Sequence, residues 1–60
     1  MTYLQAVKKA LHLSDKYSED YYVVYENGEY DVADDFELET YHLGSSPIGY
    51  AGYGLGYESL

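Results

Sequence analysis

The first segment with a helical repeat of apolar positions covers residues 2–13. Its apolar side chains follow the i, i+3, i+4 spacing of one helix face, and they are Tyr3, Leu4, Val7, Ala10 and Leu11. Thr2 and Gln5 have the separation of a capping box, in which each side chain bonds to the backbone amide of the other residue. The pattern predicts a helix over 2–13 and a polar connection over 14–20.

A β-hairpin is predicted for residues 20–33. The run Tyr21-Tyr22-Val23-Val24-Tyr25 favours a strand, and Asn27-Gly28 favours a two-residue type I′ turn. Such a turn fixes the register, so that Tyr25 faces Tyr30 and Glu26 faces Glu29. We expect one face to form the core against the helix, with Tyr21, Val23, Tyr25, Tyr30 and Val32. The other face carries Tyr22, Val24, Glu26, Glu29 and Asp31.

Residues 34–43 fit two structures. Asp34 and Glu37 have the spacing of a second capping box, and Gly44 suits the position after a helix end. In that helix, one face would carry Phe36, Thr40 and Leu43. The alternation of apolar and acidic residues over 36–40 is instead typical of a strand. Because both ends carry helix signals, we favour the helix and keep the strand as the alternative.

The last part of the chain changes character after a turn at Ser45-Ser46-Pro47. Residues 48–50 are predicted to add a third strand, which a lone hairpin needs for stability. Gly-Tyr dipeptides then recur through 49–57, which predicts a flexible Gly/Tyr-rich tail over 51–60. The expected fold is α+β: a single domain over 1–50 with an N-terminal helix packed on a β-hairpin, a second short helix and a third strand.

Size and composition restrict how such a fold is stabilised. Below roughly 70–80 residues, most folds need a disulfide, a metal or a partner chain. This chain has 60 residues and no Cys, so disulfides are excluded. Two distant His residues make no recognisable zinc set, and no calcium-loop spacing occurs, so we expect no metal and no cofactor. The ten tyrosines provide large rings for packing, and self-association remains open.

Charge is distributed unevenly along the chain. Eleven acidic and three basic residues give a net charge of −8, and the basic residues are Lys8, Lys9 and Lys16. No Lys or Arg follows Lys16. Direct binding to nucleic acid or to an anionic membrane needs cationic side chains, so the composition disfavours both. It favours a basic protein as the partner.

The candidate site is the acidic run of the middle segment. Seven carboxylates occur within fourteen residues: Glu26, Glu29, Asp31, Asp34, Asp35, Glu37 and Glu39. Spaced along a strand face, they would meet several basic sites of a protein that binds phosphates. Tyr22 and Tyr41 are candidate aromatic anchors, because a tyrosine beside an acid suits contact with arginine. The alternative is a solvated face that keeps a Tyr-rich chain soluble.

In its size, its acidic run over 26–39, its Tyr-Tyr-Val-Val-Tyr hairpin and its lack of Cys, the chain resembles the small acidic inhibitor proteins that bacteriophages encode. Several of those proteins imitate DNA. The resemblance implies an anti-defence inhibitor of an enzyme that handles nucleic acid, such as a nuclease, a repair glycosylase, or a restriction or CRISPR component.

Two further expectations concern catalysis and location. The sequence contains no Cys nucleophile, no phosphate-binding glycine loop before a helix and no Gly-x-Ser-x-Gly motif, so we expect a protein that is not an enzyme. It has no signal-peptide pattern and no run of 18 apolar residues, so we expect a cytoplasmic location. The alternative function is an assembly or adaptor module that acts through exposed tyrosines and the Gly-Tyr segment.

Overall fold

The first helix, α1, spans Tyr3–Tyr17 and starts at the predicted capping box. The Gln5 backbone N–H donates to the Thr2 hydroxyl at 3.2 Å, and the Thr2 N–H donates to the Gln5 side chain at 2.8 Å. The helix extends past its predicted end, so the prediction of a connection is wrong for residues 14–17. It ends at Ser18, whose N–H donates to the Ser14 carbonyl and whose left-handed conformation directs the Glu19 N–H to the same carbonyl at 3.3 Å.

The computed structural model describes residues 1–41 and 46–60. After α1, it contains β1 (Tyr21–Glu26), β2 (Glu29–Ala33), α2 (Asp35–Tyr41), β3 (Gly49–Gly52) and β4 (Gly56–Ser59). The four strands form one antiparallel sheet in the order β2-β1-β3-β4. The predicted α+β class is therefore confirmed. Within the described ranges, no helix is long and apolar enough to cross a bilayer.

The buried stripe of α1 differs from the predicted one. Ala6, Ala10 and Ser14 are buried against the sheet, whereas Leu4 is 61% exposed and Leu11 is also exposed. The stripe has the i, i+4, i+8 spacing of one helix face. Its small side chains allow α1 to lie close to the sheet, and the larger side chains of Tyr3 and Leu13 pack beside this contact. The predicted stripe is therefore wrong for Leu4 and Leu11.

The hairpin has the predicted turn and register. Asn27 and Gly28 both have positive φ, at 51° and 77°, as a type I′ turn requires. Tyr25 pairs with Tyr30 and Glu26 with Glu29. The sheet face against α1, called here the inner face, carries the residues Tyr21, Val23, Tyr25, Tyr30, Val32, Gly49, Ala51 and Tyr57.

Tyr25 is an exception on the inner face. It was expected in the core but is 51% exposed, because it lies near the turn, and its ring packs on that of Tyr30 with 4.7 Å between centroids. The remaining predicted core residues of the hairpin are buried, or half-buried in the case of Tyr30.

The opposite sheet face, called here the outer face, is partly covered by α2. The predicted second capping box is present: the Glu37 N–H donates to the Asp34 carboxylate at 2.8 Å, and the Asp34 N–H donates to the Glu37 carboxylate at 3.3 Å. The helix prediction is thus confirmed over Asp35–Tyr41. Val24 lies on this face, as the register predicts, but the face is not free of core: Val24 and Ala33 are fully buried under α2.

The helix face predicted to carry Phe36, Thr40 and Leu43 is not the buried face of α2 in its described part. Phe36 and Thr40 are exposed, while Leu38 is half-buried. Leu43, which was placed with them, lies outside the described residues, as do His42 and Gly44.

The C-terminal segment forms β3, a turn and β4, so the prediction of a third strand is confirmed and that of a Gly/Tyr-rich tail over 51–60 is wrong. Gly54 has a φ of 76°, which allows the tight turn between the two strands. The ring of Tyr57 in β4 lies over Gly49 in β3. The Gly-Tyr pattern therefore encodes cross-strand packing of a ring on a residue that has no side chain.

Tyr3 connects the helix to both edge strands of the sheet, β2 and β4. Its ring packs edge-on against Tyr30 of β2 at 5.4 Å and Tyr57 of β4 at 6.2 Å between centroids. The hydroxyls of Tyr3 and Tyr57 lie 2.7 Å apart. Burial and this hydrogen bond raise the pKa of Tyr57.

We expect Gly49→Ala to destabilise the fold by about 1–3 kcal/mol, because the new methyl group would overlap the Tyr57 ring, which packs against the core. Gly52→Ala is the control. Its methyl group would meet the Tyr50 hydroxyl and the tip of the Leu55 side chain. Because Leu55 is exposed and able to move, we expect a smaller loss of stability than for Gly49→Ala. Urea unfolding of both variants measures the difference. Equal midpoints for the two variants would contradict the proposed role of Gly49.

Candidate acidic interface

All three lysines lie on one side of the sheet, and the acids of the strands and of α2 lie on the other, with Asp15 of α1 as an exception. The three lysines are exposed on α1, which covers the inner face. Strand alternation directs Glu26, Glu29 and Asp31 to the outer face. The helix on that face, α2, adds further carboxylates. The lysines of the N-terminal segment and the acids of the middle segment are therefore separated by the thickness of the sheet.

The first group of acids surrounds an open cleft of about 400 Å³ at the start of β1. Its lining residues are Ser18, Glu19, Asp20, Asp34, Asp35 and Phe36. We call this the acidic cleft. It forms because α1 ends at Ser18, where the chain turns into β1, and because α2 begins at the same end of the sheet. Four carboxylates from two distant segments therefore meet around one depression.

The pKa values of two tyrosines near the acidic cleft, Tyr21 and Tyr22, are raised. Burial raises the pKa of Tyr21, and the carboxylates of Glu19 and Asp34 raise it further. Burial also raises the pKa of Tyr22 to about 12, with added contributions from its hydrogen bond to Asp35 and from the charges of Asp35 and Asp20. Each carboxylate acts in the same direction because it disfavours a second negative charge nearby.

The second group of acids lies at the hairpin turn. Glu26, Glu29 and Asp31 line an open depression of about 350 Å³ together with Met1, Asn27 and Tyr30. The Asp31 carboxylate accepts a 2.8 Å hydrogen bond from the Val32 N–H. Because β1 has six residues, the two acidic groups lie roughly 20 Å apart along the hairpin.

The predicted site residues thus occupy different positions. Asp34 and Asp35 lie at the cleft, and Asp34 and Glu37 also cap α2. Glu39 is exposed on α2.

The two predicted aromatic anchors differ from each other. The Tyr22 ring packs against Tyr50 at 5.6 Å between centroids, and its hydroxyl bonds to Asp35, so it is built into the outer face. The side chain of Tyr41 lies outside what the structure describes.

Sequence reasoning missed Glu19, Asp20 and Phe36 as parts of the acidic cleft. Glu19 and Asp20 are fifteen and fourteen residues before Asp34 of the second capping box, and only the sheet brings them next to α2. Asp20 additionally accepts a 3.3 Å hydrogen bond from the Tyr53 N–H, which ties the β3–β4 turn to the cleft. The sequence showed these two acids only as part of the polar connection predicted before the hairpin.

The arrangement is suited to ammonium and guanidinium groups, which carboxylates bind by charge-assisted hydrogen bonds. Among residues 1–41 and 46–60, no group of three or more His, Cys, Asp or Glu could hold a metal ion. No protein-family model, no curated protein and no solved structure matches the chain.

We expect Asp35→Asn to lower the pKa of Tyr22 from about 12 toward 10, because the substitution removes a negative charge beside the hydroxyl. The ring ¹³Cζ shift of labelled tyrosine, followed by NMR between pH 8 and 13, measures it. Glu39→Gln, an exposed position on the same helix, should leave the pKa of Tyr22 unchanged. An unchanged pKa in the Asp35 variant would contradict the assigned contact.

The same pKa has a consequence for stability. An unfolded tyrosine ionises near pH 10, whereas folded Tyr22 does so near 12. The folded state therefore holds more protons between these values, and the free energy of unfolding should be unaffected below pH 10 and fall as the pH rises from about 10 to 12. Urea unfolding at pH 8, 10 and 11.5 checks the sign, and the fall should be smaller in Asp35→Asn.

Proposed function

We propose that the protein is a non-enzymatic acidic binding protein that inhibits or modulates a basic protein handling nucleic acid. It would occupy the surface on which its partner holds phosphates. The observation that supports this is the separation of charge: the lysines lie on α1, over the inner face, while the outer face and α2 carry carboxylates. Such a surface presents one sign of potential to a partner instead of the mixed signs of an ordinary solvated face.

The spacing of the two acidic groups supports the same function. The acidic cleft and the acids at the hairpin turn are separated by roughly 20 Å, with Glu39 of α2 as an additional exposed carboxylate. Along that length, a DNA duplex carries about twelve phosphates. The chain therefore imitates a part of such a charge array, enough to engage several basic side chains at once.

The resemblance to DNA-imitating phage inhibitors is consistent with this function and indicates the class of partner. A nuclease, a glycosylase or a restriction or CRISPR component offers a basic groove that must accept a phosphate backbone. Binding there should be fast and strongly salt-dependent, because it rests on long-range attraction between opposite charges.

A second candidate is an assembly or adaptor module. Its specific support is the β3–β4 turn, where Tyr53 and Leu55 are exposed. Removing residues 51–60 would delete β4 and the end of β3, so the substitution Tyr53→Ala is the appropriate test. Sedimentation velocity of the wild type and of this variant would detect assembly between copies that depends on the turn.

The main experiment captures partners on the immobilised chain from a nuclease-treated bacterial lysate. We expect nucleic-acid-binding proteins that elute with rising salt and that added duplex DNA displaces. Glu29→Lys and Glu39→Lys, tested singly, should each weaken capture about tenfold, because reversing a contact charge replaces attraction with repulsion.

Asp15→Lys changes the net charge by the same amount but lies on α1, on the other side of the sheet, and should capture like the wild type. Equal losses in all three variants would show that only net charge matters, and a captured set that DNA does not displace would reject the proposed site.

A further inference from the structure

The outer face of the sheet is only half covered. Helix α2 packs on β1 and β2, and no described element packs on β3 and β4 from that side. The residues beside α2 on this face are in contact with one another, because the half-buried Tyr22 ring packs on the half-buried Tyr50, and the Tyr50 hydroxyl and the exposed Leu55 side chain both lie over the buried Gly52. We call this surface, made of Tyr22, Tyr50, Gly52 and Leu55, the outer platform.

Two large apolar side chains in this region, one in the platform and one in the acidic cleft, are mostly exposed to water. Leu55 is 75% exposed on the β3–β4 turn, and Phe36 is 70% exposed at the start of α2, where it lines the acidic cleft. A small domain gains little by leaving two such groups in water when its core is short of large side chains. Aromatic and aliphatic side chains grouped in this way are typical of binding surfaces.

The platform and the acidic cleft are joined by direct contacts. The Tyr22 hydroxyl bonds to Asp35 of the cleft, and Asp20 of the cleft accepts the Tyr53 N–H from the turn that carries Leu55. Glu58 of β4 is exposed on the same sheet face. The outer platform is therefore bordered by carboxylates. A partner that binds it must combine apolar and cationic side chains.

We infer that the outer platform docks a basic amphipathic segment of another protein, which lies beside α2 with apolar side chains against Leu55, Tyr50 and Phe36. Its lysine or arginine side chains would reach into the acidic cleft. This inference rests on the proposed function and adds the mode of contact: apolar docking supplies affinity that salt does not remove.

Charge argues against a second copy of the chain as the occupant. Each copy has a net charge of −8, so two copies repel each other. The three lysines of a second copy could be attracted to the acids of the platform border. That copy also carries eleven acids, which outnumber its lysines. A basic partner gains from the same acids, so the platform and its border fit a different protein.

The test is an NMR titration of the labelled full chain with two synthetic twelve-residue peptides of equal positive charge, one alternating Lys and Leu and the other Lys and Ser. We expect the Lys/Leu peptide to bind about tenfold more tightly and to shift the amide signals of Tyr50, Gly52 and Leu55. Phe36→Ala and Leu55→Ala should each weaken its binding about fivefold. The control is Leu4→Ala, at an apolar residue of α1 that is 61% exposed, and this variant should bind like the wild type.

The outcomes separate this inference from the proposed function. If both peptides bind equally and the Phe36 and Leu55 variants match the wild type, docking on the platform is rejected while the acidic interface stands. If neither peptide binds at low salt, the acidic interface fails and the inference fails with it. If sedimentation shows a dimer that Leu55→Ala dissociates, the platform is occupied by a second copy, which overturns the assignment to a basic partner.

Discussion

The packing of tyrosine rings on residues with little or no side chain sustains this structure. Among residues 1–41 and 46–60, the largest fully buried side chains are those of Val23 and Val24. Ala6 and Ala10 bring α1 close to the sheet, and the ring of Tyr57 lies over Gly49. Tyr3 then joins the helix to β2 and β4 through its ring and hydroxyl. A 60-residue chain without disulfides obtains its buried area in this way, while the hydroxyls stay close to water.

This packing also arranges the charges. Because α1 is held on the inner face, its lysines lie on the opposite side of the sheet from the strand acids. Because α2 starts at the end of β2, its capping acids meet Glu19 and Asp20 at the acidic cleft. The acids at the hairpin turn remain a separate group at the far end of β1. A binding surface with two acidic groups, rather than one continuous stripe, follows from the topology.

Stability and the acidic surface are coupled through the tyrosines. Tyr22 donates to Asp35 and packs on Tyr50, so one residue joins the cleft to the outer face of the sheet. Burial, and then the nearby carboxylates, raise its pKa and keep the ring neutral. A partner that neutralises Asp35 and Asp20 would relieve the repulsion between these carboxylates. Charge neutralisation by a basic ligand should therefore not disturb the fold, and the exposed Phe36 and Leu55 leave apolar surface for the same ligand.

The sequence by itself determined the features that depend on residues close together in the chain. Both capping boxes, the type I′ turn and the pairing of Tyr25 with Tyr30 were predictable, because each requires only a few neighbouring residues with the right side chains and backbone freedom. The acidic run and its lack of basic residues were equally visible. Contacts between distant segments decided the rest: the alanine face of α1, the burial of Val24 under α2, the pairing of residues 56–59 as β4, and the contribution of Glu19 and Asp20 to the cleft. The Gly-Tyr segment shows the physical reason. Glycine disfavours a strand on its own, and here the strand is completed by distant segments: pairing with β1 and β4, and the Tyr57 ring packed over Gly49.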